Sequence, residues 1–184
     1  MSRNLRDIFF MNTTYSLEEV TIRAIRKSDN EALANVIRKT LEEFGANLPG
    51  TVYFDPTTDH LFELFEQEPR SFYHVAELNG EVVGGGGIYP SPGLPKNYCE
   101  LVKMYLLKKV RGIGLGKLLI EKSIATAKEK GFQNIYLETM PQLKDALKTY
   151  EKFGFQYIDH AMGNTGHFGC GLWMTRGVNS EMFS

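Results

Sequence analysis

A chain of 184 residues, 42% hydrophobic and 23% charged, has room for one substantial core and the composition of a globular domain. Its net charge of −1 leaves no bulk electrostatic argument for nucleic acid or an anionic membrane as partner, and no apolar run approaches the roughly 20 residues that span a bilayer. Two cysteines, Cys99 and Cys170, are too few for a disulfide framework, so a cytoplasmic location is expected.

Residues 1–15 read as an N-terminal extension. Asp7 interrupts Arg3 and Arg6, and Ile8-Phe9-Phe10-Met11 is too short for a signal core. Phe9-Phe10 suits either a cover for the core or a homodimer seam. A single domain is expected over 16–177 and a frayed tail over 178–184. Val20, Ile22 and Ala24 alternate with polar residues as in a half-buried strand. Ser28 and Glu31 have capping-box spacing, and Leu33, Val36, Ile37, Leu41 and Phe44 follow at helical spacing up to Gly45. Leu61, Leu64 and Phe65 predict a short helix ending before Pro69. Strands over 72–78 and 82–89 flank Asn79-Gly80, a hairpin signal. Gly84-Gly85-Gly86-Gly87 inside the second strand predicts a bulge or a close backbone approach.

A strand over 99–107 then leads into Arg111-Gly112-Ile113-Gly114-Leu115-Gly116-Lys117, and a helix is expected over 118–130, closed by Gly131. Strand, glycine-rich turn and helix N-terminus form the arrangement in which backbone N–H groups and the helix dipole hold a phosphate. The spacing is neither of the two commonest glycine signatures. A Walker loop would need glycine at Arg111 and Ser or Thr at Leu118, and the dinucleotide pattern would need glycine at Lys117 or Leu119. It does match R-x-x-G-x-G. Next come a strand over 135–139 and a helical stripe of Leu143, Ala146, Leu147, Tyr150 and Phe153, stopped by Gly154. Two closing strands, 155–158 and 171–175, complete the order β-α-α-β-β-β-α-β-α-β-β. His160, His167 and Cys170 match no zinc spacing, so no metal is expected.

The R-x-x-G-x-G segment resembles the acetyl-CoA-binding segment of the GNAT superfamily of N-acetyltransferases. Ala146-Leu147-Lys148-Thr149-Tyr150-Glu151-Lys152-Phe153-Gly154-Phe155 resembles the same family's later A-x-x-x-Y-E-K-x-G-F segment. The resemblance is clear over 77–155. It implies an α/β fold with a mixed, mostly antiparallel twisted sheet flanked by helices. It also implies acetyl-CoA as cosubstrate and direct acetyl transfer to a primary amine of a small molecule or peptide. Met104, Tyr105 and Leu106 would pair with the pantetheine amides through their backbone. Arg111, Gly112, Ile113, Gly114, Leu115, Gly116 and Lys117 would hold the pyrophosphate. The family's glutamate at the place of Glu100 often acts as general base, and the tyrosine at the place of Tyr150 as general acid. The residues themselves leave both open: Glu100 also suits a strand-end carboxylate exposed or paired with Lys103, and Tyr150 a core tyrosine. Leu143 and Lys108-Lys109 depart from the family's usual Asn and Pro. Tyr53, Asp55, His74 and the 163–170 loop are candidates for the acceptor side. The alternative function is a catalytically silent acyl-CoA-binding module of the same fold.

Overall fold

A computed structural model describes residues 15–182; the expectations for Phe9-Phe10 and for most of the N-terminal extension lie outside them. Seven strands form one sheet: β1 (Val20–Ala24), β2 (Phe72–Leu78), β3 (Glu81–Tyr89), β4 (Tyr98–Leu106), β5 (Asn134–Thr139), β6 (Gln156–Ile158) and β7 (Leu172–Gly177). Four helices accompany them: α1 (Asn30–Glu43), α2 (Leu61–Glu66), α3 (Leu115–Glu129) and α4 (Lys144–Lys152). The sheet order is β1-β2-β3-β4-β5-β7-β6. Every neighbouring pair is antiparallel except β4 and β5. This is the mixed sheet that the element order predicted.

Strand alternation decides which helix lies on which face. Tyr73 and Val75 of β2 pack with Leu33, Ile37 and Leu41 of α1 and with Leu61 and Phe65 of α2. Their neighbours Ala76 and Leu78 face the other way, against Leu115 and Leu119 of α3. Ile120 and Ala127 of α3 share a cluster with Tyr150 and Phe153 and with Ile135 and Leu137 of β5. The core is therefore two layers, with α1 and α2 on one face and α3 and α4 on the other.

Three local expectations are corrected. Entry into α1 does not use the Ser28–Glu31 pair. Asp29 there accepts the Arg26 N–H at 2.7 Å and a bidentate guanidinium from Arg23 at 2.7 and 2.9 Å, which fixes the turn from β1. The first turn of α3 begins at Leu115, not Leu118. The chain also stays attached beyond Arg176: Val178 N–H bonds Gln133 O at 2.9 Å, and the buried Arg176 guanidinium donates to the carbonyls of Phe153, Gly177 and Ser180.

Candidate active site

The site originates in a fork. Strands β4 and β5 pair in parallel only over Tyr98↔Asn134, Cys99↔Ile135 and Glu100↔Tyr136. Beyond Glu100 they part, while β5 continues against β7 as far as Thr139↔Leu172. A bulge drives the separation. Pairing with β3 jumps from Gly87↔Val102 to Gly85↔Tyr105, leaving Lys103 and Met104 opposite Gly86 alone. Lys103 takes φ 51, a left-handed conformation costing a non-glycine residue about 1–2 kcal/mol. Its buried ammonium is held by Asp55 Oδ2 at 2.8 Å and Thr58 Oγ1 at 3.4 Å, which anchors the bulge. Glycines make the tight β2–β3–β4 packing feasible: a Cβ on Gly85 would lie 2.6 Å from His74 O.

At the open end of the fork lies the glycine turn. Gly112 and Gly114 have φ of 81 and 92, which other residues adopt only under strain. The first backbone bond closing α3 runs from Leu118 N–H to Gly114 O, so the N–H groups of Leu115, Gly116 and Lys117 are the helix's unsatisfied donors. Among the described residues, a Cβ on Gly112 would meet nothing within 4 Å, and on Gly114 only Leu17, at 3.7 Å. The turn therefore presents open backbone donors and the positive end of α3, with exposed Lys117 beside them. Arg111 does not add a second open cation. Its guanidinium lies bidentate on Glu43 at 2.9 and 2.9 Å, and its Nε bonds Leu106 O at 2.9 Å. It braces the turn against α1 and the end of β4.

Between fork and surface is a cavity of about 520 Å³, reached by Glu100, Met104, Tyr105, Glu138, Tyr150, His167 and Cys170. Glu100 is buried at the base of the fork and accepts a short hydrogen bond from the Ser91 hydroxyl. Burial pushes its carboxyl up to about 7, with neighbouring Glu138 adding to the rise. Glu138 Oε1 accepts from the Tyr136 hydroxyl at 2.8 Å and the Thr165 hydroxyl at 3.0 Å. Asp55 is opposed by burial, but His167 at 3.3 Å and Lys103 outweigh that and hold it well below the usual carboxylate range. Glu100, Glu138 and His167 bring possible ligand atoms within 4.8 Å of one another, a donor set receptive to a cation. These residues come from three separate segments, so spacing along the chain could not reveal the grouping.

Tyr150 is part of the core, edge-on to Phe155 at 5.7 Å, and it also lines the cavity. Its two sequence readings are thus compatible. Burial pushes its phenol up to about 12. Burial, Glu138 and Glu100 push the Cys170 thiol up to about 12, which keeps it protonated and poorly nucleophilic.

The fork brings together Glu100, Met104, Tyr105 and Tyr150, and Asp55 and the 163–170 loop join them. His74 does not belong: it bonds Thr126 under α3, on the opposite face. The Tyr53 hydroxyl points to Glu42. Lys103 pairs with Asp55 rather than Glu100. Sequence reasoning missed Ser91 and Glu138, and offered Thr165 only as part of the 163–170 loop. Glu138, a carboxylate in an apolar strand just as Glu100 is, was the one available signal.

Residues 37–155 match the family model described as Acetyltransferase (GNAT) family. An uncharacterised N-acetyltransferase of Escherichia coli, YjgM, is 44% identical over 156 residues, covering 84% of this chain and 93% of the relative. A GNAT-family acetyltransferase structure from Staphylococcus aureus superposes with a TM-score of 0.75 at 23% identity, covering 87% of this chain and 99% of that one. A putative acetyltransferase from Salmonella typhimurium, yncA, solved with acetyl-CoA, gives 0.68 at 19% identity, covering 89% and 96%. At these identities the two structures speak for the fold.

Proposed function

Because the chain belongs to the GNAT family of acetyltransferases, we propose that it moves the acetyl group of acetyl-CoA directly onto a primary amine in the β4–β5 fork. The observation that carries this reading is the fork itself. Beyond the end of β4 stand the donors of the glycine turn, and the cavity in the fork has a buried carboxylate, Glu100, at its base and Tyr150 in its lining; residues 112–117 do not themselves line that cavity.

The turn suits the pyrophosphate of CoA: it offers N–H groups, a helix N-terminus and the Lys117 ammonium, and no side chain of the described residues fills the space over Gly112. Met104, Tyr105 and Leu106 lie on β4 past its last pairing with β5, where the pantetheine amides would add as a strand against Met104 and Tyr105; the Leu106 carbonyl already accepts from Arg111 Nε at 2.9 Å. Glu100 takes the proton from the attacking ammonium. Its carboxyl near 7 ionises at working pH and still accepts a proton readily. As the carbon–nitrogen bond forms and the carbon–sulfur bond breaks, the Tyr150 hydroxyl delivers a proton to the departing thiolate. The protonated state of Cys170, the thiol in the cavity, supports direct transfer over an acetylated enzyme.

The test is thiol release from acetyl-CoA across a panel of primary amines, with the acetylated amine identified by mass. Turnover of at least one amine is expected. A protein that binds acetyl-CoA but acetylates no amine would be the silent acyl-CoA-binding module instead.

A further inference from the structure

Glu138 differs from the other carboxylates of the cavity. Its Oε1 accepts from Tyr136 and Thr165, so the group is pinned, but its Oε2 is buried without a partner among the described residues. Asp55 is saturated by Lys103, His167 and Thr57. Glu100 has the Ser91 hydroxyl. A buried carboxylate oxygen left without a donor is costly, so this one calls for a donor that the described residues do not supply. A cationic donor suits this place, because Glu138 and Glu100 stand close enough to share one cation.

We propose that the Glu138 carboxylate, which lines the cavity, anchors the acceptor's ammonium beside Glu100, and that the acceptor is a primary amine whose amine-bearing carbon carries no carboxylate. The proposal rests on the N-acetyltransferase reading, which places the reacting amine at the base of the fork. An ammonium there donates to Glu138 while Glu100 removes a proton from it. A carboxylate on the same carbon would be carried in beside Glu138 and Glu100 and be repelled by both. Among the described residues the cavity has no spare cation to receive it. Lys103 is bound to Asp55 at 2.8 Å, and His167 is held against the same carboxylate. Free α-amino acids are therefore excluded as acceptors through their α-amine.

The test is calorimetric titration of the protein, dialysed against a chelator and saturated with CoA, by matched pairs differing in that carboxylate. Tryptamine and tryptophan, phenethylamine and phenylalanine, and agmatine and arginine form such pairs. The expected result is at least about tenfold tighter binding of the decarboxylated member. Glu138→Gln, which keeps an oxygen for Tyr136 and Thr165, should weaken that amine at least about tenfold, with CoA affinity and melting temperature unchanged. Equal binding within pairs, binding restored only by added zinc, unchanged affinity in Glu138→Gln, or no amine bound at all would each overturn the proposal. The paired comparison needs no variant, so it decides even if Glu138→Gln does not fold. Thiol release on the same amines tests the transferase reading separately: amines that bind as expected but are never acetylated would sink that reading and leave the anchor standing.

Discussion

Glu100 is buried where β4 and β5 part, and that burial is the main reason its carboxyl is pushed up to about 7 from an ordinary value of 4.5. The native state therefore holds this proton more tightly than the unfolded chain does. The resulting stabilisation is complete below the ordinary value and is lost as pH rises through about 7. Glu100→Gln cannot ionise, so it should melt several degrees above wild type near about pH 8 and show little gain near about pH 4. Thermal scans at the two pH values check this. Tyr150→Phe keeps the ring against Phe155 and should lose little stability, about 1 kcal/mol if one hydrogen bond goes. If its hydroxyl protonates the thiolate, kcat should fall by roughly tenfold or more with CoA affinity unchanged. A variant that loses stability but keeps kcat would leave Tyr150 a core residue only. Both residues were legible because a charged or motif-bearing side chain stood in an apolar pattern. Lys103 was not legible in the same way. Its partner is set by a backbone bulge that brings Asp55, 48 positions away, within 2.8 Å.

At the scale of elements, the strand, glycine turn and helix around Gly114 were readable because glycine at alternate positions and helical periodicity are local signals. The start of α3 was not, because Gly116 looks like turn sequence although it lies in the helix. Nor was the brace between Arg111 and Glu43, which joins residues 68 positions apart. Gly114→Asp and Gly114→Asn form a matched test of the turn. Both must adopt φ 92, so both should cost stability, about 1–2 kcal/mol. Only Asp brings a negative charge to the helix N-terminus. It should weaken acetyl-CoA binding by roughly tenfold or more beyond Asn, an effect of a few times RT. Equal affinities of the two variants, measured by calorimetry, would reduce the glycines to a turn with no anion site.

At the scale of the whole molecule, element order followed from periodicity and turn residues, and the mostly antiparallel sheet from the family resemblance. Site composition did not, because the cavity collects side chains from β4, β5, the 51–57 segment and the 163–170 loop. No local pattern reports such convergence, and so Ser91 and Glu138 emerge only from the fold. The central claim is that this convergence makes Glu100 the base of an acetyl transfer. The most direct measurement is the pH dependence of kcat/KM for acetylation of the best amine, in wild type and in Glu100→Gln. The account predicts a wild-type rate that rises through about pH 7, and a variant slowed by roughly 10²–10⁴-fold above that pH with the rise abolished. A variant with the wild-type rate and the same rise would contradict it.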